Sequence, residues 1–321
     1  MKTILITGCA GFIGSNLCRK LLMDSNNYII GVDNYSSGKQ ENIIDLLCNK
    51  NFKFLYKDIT EFNSLPFDID EIYNAACCAS PPFYQKYAIE TTKACTIGIF
   101  NMLDLALKNN AKFLQFSTSE VYGDPLVAEQ PETYKGNVNP IGIRSCYDEG
   151  KRCAESICFD YIRRYSLDIK VIRIFNTYGP GMRADDGRVI SNFINQAITN
   201  KDITVYGNGS QTRSFCYIDD LVDGIIRMMS SKIHGPINLG NPVEFTMKEL
   251  AELVIKLTDS KSTIVYKDLP SDDPTKRKPD IYNAKTLLNW WPKVDITVGL
   301  NNTIEYYKEK HKNVENQNWN T

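Results

Sequence analysis

Three glycines near the start of the chain restrict what it can fold into more than any other feature. Gly8, Gly11 and Gly14 lie between an apolar segment, Thr3–Thr7, and a segment with helical periodicity, Phe12–Met23. Glycines at a strand-to-helix turn allow a tight bend and let backbone N–H groups approach a phosphate at the positive end of the helix. The pattern Gly-x-x-Gly-x-x-Gly therefore predicts a dinucleotide-binding turn, a variant of the more common Gly-x-Gly-x-x-Gly arrangement.

A carboxylate follows this turn at the position expected for a ligand of ribose. Asp33 ends the second apolar segment and lies 19 residues beyond Gly14. A carboxylate there can accept hydrogen bonds from the ribose hydroxyls of adenosine and would repel a 2′-phosphate. The sequence therefore predicts that the chain binds NAD rather than NADP. Further contacts with NAD are expected from Asn34, Gly38, Asp58 and Ile59.

The N-terminal half alternates buried strands with helices. Continuous apolar runs rich in β-branched residues are typical of strands buried on both faces of a parallel sheet. The predicted strands are Thr3–Thr7, Tyr28–Val32, Phe52–Tyr56, Glu71–Ala75, Lys112–Ser117 and Ile169–Ile174. The predicted helices are Phe12–Met23, Ala88–Lys108 and Asp148–Tyr165. Repeated strand–helix–strand units predict the α/β class, with a doubly wound parallel Rossmann sheet.

The pattern changes after Ile174, which predicts a second, smaller lobe. Its predicted elements are a helix at Val189–Thr199, a strand at Ile203–Tyr206, a helix at Ile218–Met229, a capping box at Thr246–Glu249 that opens a helix to Leu257, and a helix at Val298–Lys310. We expect residues 1–176 to form the NAD-binding Rossmann domain, to which about 205–235 returns. Residues 177–312 are expected to form a C-terminal α/β substrate-binding lobe, and 313–321 a frayed polar tail.

Composition excludes several functional classes. The chain has 321 residues, 43% of them hydrophobic, and a formal net charge of −1, so it lacks the basic excess typical of nucleic-acid binding. It contains no apolar run of the ~18–20 residues that a membrane span needs, and no secretory leader. Ten cysteines without the dense spacing of a disulfide scaffold, together with only two histidines, predict a reducing compartment and no metal site. We expect a soluble, cytoplasmic protein with no nucleic-acid or membrane partner.

Tyr147 and Lys151 are the first candidates for catalysis. Residues four apart on a helix share one face, and an ammonium near a phenol lowers the pKa of the phenol. Tyr147 is thus expected to accept a proton from a sugar hydroxyl while a hydride leaves the same carbon. The same spacing to a lysine occurs at Tyr35 and Tyr306, but the first lies in a loop and the second on a lysine-rich terminal helix. Only Tyr147 starts a long helix after the fifth predicted strand.

Polar residues also follow the fifth predicted strand, in the segment Ser117–Gly123. Side chains at the carboxyl end of a central strand fall in the ligand crevice of such a sheet. The hydroxyl of Thr118 can hydrogen-bond the reacting sugar hydroxyl. A carboxylate beside a reacting carbon is costly to bury unless it is used, so Glu120 is a second candidate.

Longer motifs around these residues resemble one group of extended short-chain dehydrogenases/reductases, the UDP-glucuronic acid decarboxylase (UDP-xylose synthase) family. The similarity extends from about Lys2 to about Lys308. The motifs that carry it are Ser117–Pro125, Asn139–Gly142, Cys146–Arg152, Arg173–Pro180, Asp186–Phe193, Thr204–Gly207, Gly209–Phe215 and Asp272–Asp280.

The resemblance implies that UDP-glucuronic acid is converted to UDP-xylose and CO₂. The implied steps are C4 oxidation assisted by Tyr147, decarboxylation of the 4-keto sugar, and re-reduction by NADH that the enzyme retains, so that tightly bound NAD is recycled. Glu120 and Arg277 are assigned to decarboxylation, where Glu120 can disfavour the substrate carboxylate and Arg277 can orient the sugar or deliver a proton. The resemblance also implies a homodimer, in which Ala88–Lys108 and Asp148–Tyr165 pack as a four-helix bundle.

The resemblance extends the set of expected site residues. The implied catalytic residues are Thr118, Ser119, Glu120, Tyr147, Lys151 and Arg277. Besides the residues already named, the implied contacts with NAD are Phe12, Ile13, Ser37, Ala75, Tyr147, Lys151, Thr177 and Arg188. The implied contacts with the nucleotide sugar are Lys93, Asn101, Tyr161, Asn176, Tyr206, Arg213 and Arg277, with Arg213 on the diphosphate.

Three residues depart from the pattern of the family. Cys77 stands where a serine near the cofactor is usual, Cys95 where asparagine is usual, and Arg183 where histidine is usual. We expect these departures to affect cofactor affinity and retention rather than the type of reaction.

Other activities remain open at this stage. A nucleotide-sugar 4,6-dehydratase usually has Asp-Glu after the catalytic threonine, whereas Ser119-Glu120 follows Thr118 here. A C4-epimerase needs neither Glu120 nor Arg277, and a related decarboxylase releases the UDP-4-keto-pentose instead of UDP-xylose. A non-catalytic NAD-sensing module is the remaining alternative.

Overall fold

Parallel strands form the central sheet of the computed structural model, which describes residues 1–62, 64–268 and 277–318. In chain order, its strands within these residues are β1 (Lys2–Thr7), β2 (Asn27–Asp33), β3 (Phe52–Tyr56), β4 (Glu71–Asn74), β5 (Lys112–Thr118), β6 (Ile169–Ile174) and β11 (Ile237–Leu239). Their spatial order is β11-β6-β5-β4-β1-β2-β3, and each neighbouring pair is parallel. The predicted doubly wound parallel sheet is confirmed.

Helices cover both faces of this sheet. Those of the N-terminal half are α1 (Phe12–Leu22), α2 (Pro81–Lys86), α3 (Ala88–Lys93), α4 (Ile99–Asn109) and α5 (Ser145–Tyr165). A π-helical turn, Ala94–Gly98, joins α3 to α4, so the helix predicted at Ala88–Lys108 is not uniform. At this turn a Cβ on Gly98 would lie only 2.5 Å from Cδ1 of Ile59, and glycine therefore permits the close packing.

Successive residues of β1 belong to opposite layers of the core, as the two-residue period of a strand requires. Leu5 packs in a cluster that includes Met102 of α4, whereas Ile4 and Ile6 pack in a cluster that includes Leu17 of α1. Burial on both faces explains why the strands have continuous apolar sequences rather than alternating ones. The parallel pairing of β4 with both β1 and β5 places the carboxyl ends of these three strands side by side at one edge of the sheet.

The chain leaves the sheet after β6 and then returns to it. Helix α7 (Ile218–Ser230) packs against α1, and β11 pairs with β6. No sequence signal predicted β11, which has only three residues and follows Gly235-Pro236.

The other elements after β6 are β7 (Thr177–Tyr178), α6 (Val189–Ile198), β8 (Ile203–Tyr206), β9 (Thr212–Ser214), β10 (Cys216–Tyr217), β12 (Glu244–Thr246), α8 (Met247–Thr258), β13 (Ile264–Lys267), α9 (Tyr282–Leu288) and α10 (Ile296–Asn318). The proposed domain boundaries stay a prediction.

The C-terminal elements pair in short sheets: β8 with β13, β9 with β12 and β7 with β10. The predicted capping box is present, since the Glu249 N–H donates to Oγ1 of Thr246 (3.1 Å) and the Thr246 N–H donates to Oε2 of Glu249 (2.8 Å). Helix α10 continues through Asn318, and 319–321 lie outside the described residues; the expected polar tail, 313–321, stays a prediction. Within the described ranges, no helix combines the length and apolar character needed to cross a membrane.

Candidate active site

A cavity of about 510 Å³ opens at the carboxyl ends of the central strands. Its wall combines the glycine turn after β1, the end of β5 and the start of α5 with residues of β8 and β9 from the C-terminal part. Among the described residues, its basic side chains are Arg144, Lys151, Arg183, Arg188, Arg213 and Arg277, and its acidic ones are Glu120 and Asp186. This excess of positive charge favours an anionic ligand.

The glycine turn forms a backbone cradle at this cavity. Gly8 has a φ of +71°, and a Cβ there would lie 2.9 Å from the carbonyl carbon of Ala75. A Cβ on Gly14 would overlap the carbonyl oxygen of Gly8, so neither position admits a side chain. Helix α1 begins without a side-chain cap, since its N-cap residue is Gly11. Its first N–H groups are therefore suited to bind the pyrophosphate of a dinucleotide.

Asp33 lies buried at the end of β2, beside the cradle. Its Oδ2 accepts a hydrogen bond from the Ala10 N–H (2.9 Å) and its Oδ1 one from the Tyr35 N–H (2.8 Å). Burial raises the pKa of Asp33, and these hydrogen bonds oppose that rise. Each carboxylate oxygen keeps a second lone pair, so the group can still accept hydrogen bonds from a ribose diol. The residues present thus fit the NAD predicted from the sequence.

Three other predicted contacts with NAD gather around Asp33. A Cβ on Gly38 would lie 3.0 Å from Oδ2 of Asp33, and Nδ2 of Asn34 donates to Oδ2 of Asp58 (2.7 Å). The side chain of Ile59 instead packs in the core near Gly98. The predicted cofactor residues that line the cavity itself are Gly8, Gly11, Phe12, Ile13, Gly14, Ser37, Ala75, Tyr147, Lys151, Thr177 and Arg188.

Two arginines tie separate loops together beside the cradle. Arg183 donates from Nη1 to the carbonyl oxygen of Ser37 (3.1 Å), and its guanidinium lies 4.4 Å from the centre of the Phe83 ring. Arg188, the N-cap residue of α6, donates from Nη2 to the carbonyl oxygen of Ala79 (2.6 Å). Arg183, which replaces the histidine usual in the family, thus contacts the loop that contains Ser37, a predicted contact with NAD.

Tyr147 is buried in the cavity wall at the start of α5. Burial raises its pKa, and a hydrogen bond with Thr118 acts in the opposite direction. The Lys151 ammonium lies 5.8 Å from the centre of the Tyr147 ring and donates to the carbonyl oxygen of Phe116 (2.8 Å). Burial thus decides the direction of the Tyr147 pKa in this structure, and the expectation that the Lys151 ammonium lowers this pKa stays a prediction.

Glu120 lies between two guanidinium groups. Its Oε2 accepts from Nη2 of Arg277 (3.0 Å) and from Nη2 of Arg144, and Arg277 also donates from Nη1 to the carbonyl oxygen of Ser119 (2.7 Å). Burial alone would raise the pKa of Glu120, but Arg277 and Arg144 overcome this effect and lower it. We call these three side chains the Glu120 cluster. It carries one net positive charge.

Asp148 is a titratable residue that sequence analysis did not select. It is buried one residue after Tyr147, and its Oδ1 has no hydrogen-bond partner among the described residues. Burial and the nearby charge of Glu120 raise its pKa to about 7, although Arg144 opposes the rise. The sequence does contain a signal for Asp148: it lies on the first turn of α5, four residues after Arg144, so the two side chains share one face of the helix.

Arg144 was also missed as a functional residue, although it lies three residues before Tyr147. A residue at this spacing shares the Tyr147 face of α5, and a cation is needed to neutralise a buried Glu120. Tyr84 carried no sequence signal, because its position against Tyr147 depends on how α2 packs on α5.

The predicted substrate contacts divide into two groups. Asn176, Tyr206, Arg213 and Arg277 line the cavity, together with the catalytic candidates Thr118 and Ser119. Lys93, Asn101 and Tyr161 do not belong to the cavity wall in the described part of the chain.

The polar groups of Asn101 and Tyr161 are used elsewhere in the structure. Nδ2 of Asn101 donates to the carbonyl oxygens of Ile59 (2.8 Å) and Thr60 (3.0 Å), and the Tyr161 hydroxyl donates to Oδ1 of Asp104 (2.5 Å). These two side chains join neighbouring elements, and Lys93 is exposed on α3. These three side chains lie outside the cavity wall, and their expected contact with the nucleotide sugar stays a prediction.

The sequence of residues 4–240 matches the model of the NAD dependent epimerase/dehydratase family. This chain belongs to that family. The predicted cofactor, NAD, is thereby confirmed.

Relatives of this NAD dependent epimerase/dehydratase family member include enzymes from plants and animals. UDP-glucuronic acid decarboxylase 3 of Arabidopsis thaliana is 52% identical to it over 297 residues, which cover 92% of this chain and 86% of the relative. UDP-glucuronic acid decarboxylase 1 of Danio rerio is 48% identical over 309 residues, covering 96% and 73%. The resemblance to UDP-glucuronic acid decarboxylases that the sequence motifs indicated is confirmed.

A solved structure supports the same fold. The UDP-glucuronic acid 4-epimerase of Bacillus cereus in complex with UDP-glucuronic acid and NAD is 29% identical, with a TM-score of 0.82 over 96% of this chain and 99% of the epimerase. Of the motifs that carry the resemblance, residues 272–276 lie outside the described residues.

Proposed function

We propose that this enzyme converts UDP-glucuronic acid to UDP-xylose and CO₂ through a 4-keto intermediate. The observation that carries this proposal is the Glu120 cluster, which lines the same cavity as Tyr147 and Thr118. A cluster with one net positive charge suits a sugar that carries a carboxylate at C5. The resemblance assigns Glu120 and Arg277 to decarboxylation, a step that a C4-epimerase does not perform.

Tyr147 moves the proton of the C4 hydroxyl. The Lys151 ammonium favours its phenolate form, and Thr118 hydrogen-bonds the phenol. The phenolate accepts the C4 proton during oxidation and returns it during re-reduction. The glycine cradle would hold NAD, which when bound would supply the hydride acceptor for C4 and the donor that restores it. Burial of Tyr147 excludes water from this step.

Decarboxylation follows from the position of the C5 carboxylate relative to the ketone. The electrons of the breaking carbon–carbon bond pass into the 4-keto group as CO₂ leaves, and C5 is then protonated. Arg277 and Arg144 orient the carboxylate, while Glu120 fixes both guanidiniums and limits the attraction that would otherwise hold the carboxylate in place.

Product analysis by mass spectrometry tests this proposal. The purified enzyme is incubated with carboxyl-labelled UDP-glucuronic acid, without added NADH, and labelled CO₂ and UDP-xylose are expected in equal amounts. CO₂ with UDP-4-keto-pentose would favour the decarboxylase that releases its intermediate. Epimerised UDP-uronate without CO₂, or a 4-keto-6-deoxy sugar from dTDP-glucose, would refute decarboxylation in favour of an epimerase or a 4,6-dehydratase. Binding of NAD without any turnover would favour a sensing module.

We also propose that the enzyme is a homodimer. Ile97, Phe100, Leu107 and Tyr165 are exposed on the surface that α4, the π-helical turn and α5 share, which we call the α4–α5 face. A second copy packed on this face would form the four-helix bundle expected from the resemblance. Light scattering should then give about twice the 36.5 kDa of one chain. Phe100→Glu should yield the monomer, and Leu126→Glu, which is exposed elsewhere, should not.

The cytoplasm is the proposed location of the enzyme. All ten cysteines are free thiols, which supports a reducing compartment. Fractionation of the source cells with an antibody against the chain tests this, and recovery in a secreted or membrane fraction would contradict it.

A further inference from the structure

Two thiols that the proposed reaction does not use meet in the wall of the active site. Sγ of Cys77 lies 3.4 Å from Sγ of Cys95. Cys77 follows the end of β4 and lines the cavity, whereas Cys95 is buried in the π-helical turn before α4. The two residues are 18 positions apart in sequence, so the fold rather than local spacing brings their sulfur atoms together.

The surroundings of the pair favour a thiolate. The hydrogen bond to Cys77 lowers the pKa of Cys95 against the effect of burial, and the Lys151 ammonium adds to this lowering. The same hydrogen bond and burial raise the pKa of Cys77, so the negative charge of the pair lies on Cys95 and Cys77 keeps the shared proton. The thiolate is the reactive form of cysteine, and Cys77 is the member of the pair that lines the cavity.

We propose that Cys77 and Cys95 form an oxidation site at which hydroperoxides reversibly inactivate the enzyme. Cys77 passes its proton across the hydrogen bond to Cys95, and the resulting Cys77 thiolate attacks one peroxide oxygen. The O–O bond breaks, the sulfur becomes a sulfenic acid, and the other oxygen takes a proton from solvent and leaves as water or, from an organic hydroperoxide, as an alcohol. Cys95 then attacks that sulfur, the S–O bond breaks, and a water molecule leaves as the S–S bond forms. Two electrons pass from the two sulfurs to the peroxide, and thiol reductants reverse the change.

The disulfide alters the active site because it moves the segment that follows β4. A sulfur–sulfur bond is about 2.05 Å long, so the two atoms must approach by roughly 1.4 Å. The same segment packs against the glycine turn: the Ala75 and Ala76 N–H groups donate to Oγ1 of Thr7, and a Cβ on Gly8 would lie 2.9 Å from Ala75. Displacement of Cys77 thus disturbs the cofactor cradle.

Peptide mapping of the oxidised enzyme tests the site. The reduced, full-length enzyme is treated with hydrogen peroxide, alkylated and digested with trypsin, and peptide 58–86 is expected in disulfide linkage with peptide 94–108. The cross-linked pair has a mass lower by two hydrogens than the sum of the two thiol peptides. Cys77→Ser and Cys95→Ser should each abolish the linkage, whereas Cys48→Ser, at an exposed cysteine, should retain it.

Activity is measured on the same samples. It should fall by the fraction of chains that carry the linkage and return fully with dithiothreitol, and both serine variants should resist the loss. The proposal is overturned if peroxide links Cys77 to its neighbour Cys78 within peptide 58–86, if no linkage forms while Cys48 is oxidised, or if the linkage forms without loss of activity. The peptide readout needs no substrate, so its result does not depend on the proposed reaction.

Discussion

The ring of Tyr84 lies parallel to that of Tyr147, with centroids 5.1 Å apart and an interplanar angle of 2°. Burial raises the pKa of both phenols, and Arg144 lies 5.9 Å from the centre of the Tyr84 ring. Helix α2 therefore places an aromatic ring against Tyr147, the proposed base. This stack limits the movement of the Tyr147 ring and with it the position of its hydroxyl.

Removal of the Tyr147 hydroxyl should prevent C4 oxidation. Tyr147→Phe keeps the stacked ring but deletes the group that moves the proton, so the rate should fall by about 10²–10⁴-fold. NADH formation in a single turnover measures this step. Tyr165→Phe is the matched control on the same helix and should keep its rate, because Tyr165 is exposed at the end of α5 and lies outside the cavity. A Tyr147→Phe enzyme that forms NADH at the wild-type rate would exclude Tyr147 as the base.

Neutralisation of Glu120 should separate oxidation from decarboxylation. Glu120→Gln leaves two positive charges beside the C5 carboxylate, which stabilises the carboxylate against loss as CO₂. Release of CO₂ should slow by about tenfold or more, equal to at least ~1.4 kcal/mol, while single-turnover NADH formation persists. Glu149→Gln, at a more exposed carboxylate on α5, is the control. Equal effects on both steps would contradict this separation.

Arg144 should set the pH range of activity through Glu120. Its guanidinium helps to hold the pKa of Glu120 low, so in Arg144→Ala this pKa should rise. The acid limb of the kcat/KM profile should therefore move to higher pH, and the KM for UDP-glucuronic acid should increase. Arg163→Ala, an exposed arginine on the same helix, should leave both unchanged. A lower rate with an unshifted profile would indicate a purely structural role for Arg144.

Replacement of glycine in the cradle should have graded effects on NAD retention. A Cβ on Gly14 would overlap the Gly8 carbonyl oxygen, whereas one on Gly11 would lie 3.1 Å from it. Gly14→Ala should therefore be purified without NAD, and Gly11→Ala should retain part of it. Absorbance and mass spectrometry of the extracted cofactor measure this. Equal NAD content in both variants would show that the turn can adjust at Gly14.

The titration of Asp148 should make the enzyme less stable as the pH rises. Its pKa is about 7 in the folded chain and about 3.8 when unfolded, so between these values the folded state binds more protons and the free energy of unfolding falls with pH. Asp148→Asn removes this loss, and its Tm relative to wild type should increase from pH 4 to pH 8. Asp160→Asn, at an exposed carboxylate of α5, should show a constant difference. A constant difference in both variants would contradict the raised pKa.

The sheet was predictable because burial on both faces leaves a simple trace in the sequence. Each of the six predicted strands agrees with the observed strand to within one residue at either end, as Thr3–Thr7 against Lys2–Thr7 illustrates. Strands as short as β11 leave no comparable trace, since three residues carry no periodicity. Their position depends on contacts with β6 that are remote in sequence.

The candidate site was only partly predictable for the same reason. The glycine turn, Thr118 and Tyr147 lie within local patterns whose chemistry can be recognised. Arg277 came from the resemblance alone. The stack of Tyr84 on Tyr147 and the place of Arg144 against Glu120 depend on packing between elements that are distant in the chain. The pKa of Tyr147 could not be judged from its spacing to Lys151, because burial decides its direction.

The surplus charge of the Glu120 cluster has a consequence for turnover. An incoming uronate cancels that charge, and the bound complex becomes locally neutral. After CO₂ leaves, the pentose has no carboxylate at C5. Its electrostatic attraction to the Glu120 cluster is therefore lost. Decarboxylation thereby lowers the affinity of the cavity for the product relative to the substrate. Product release and binding of the next uronate are both favoured as a result.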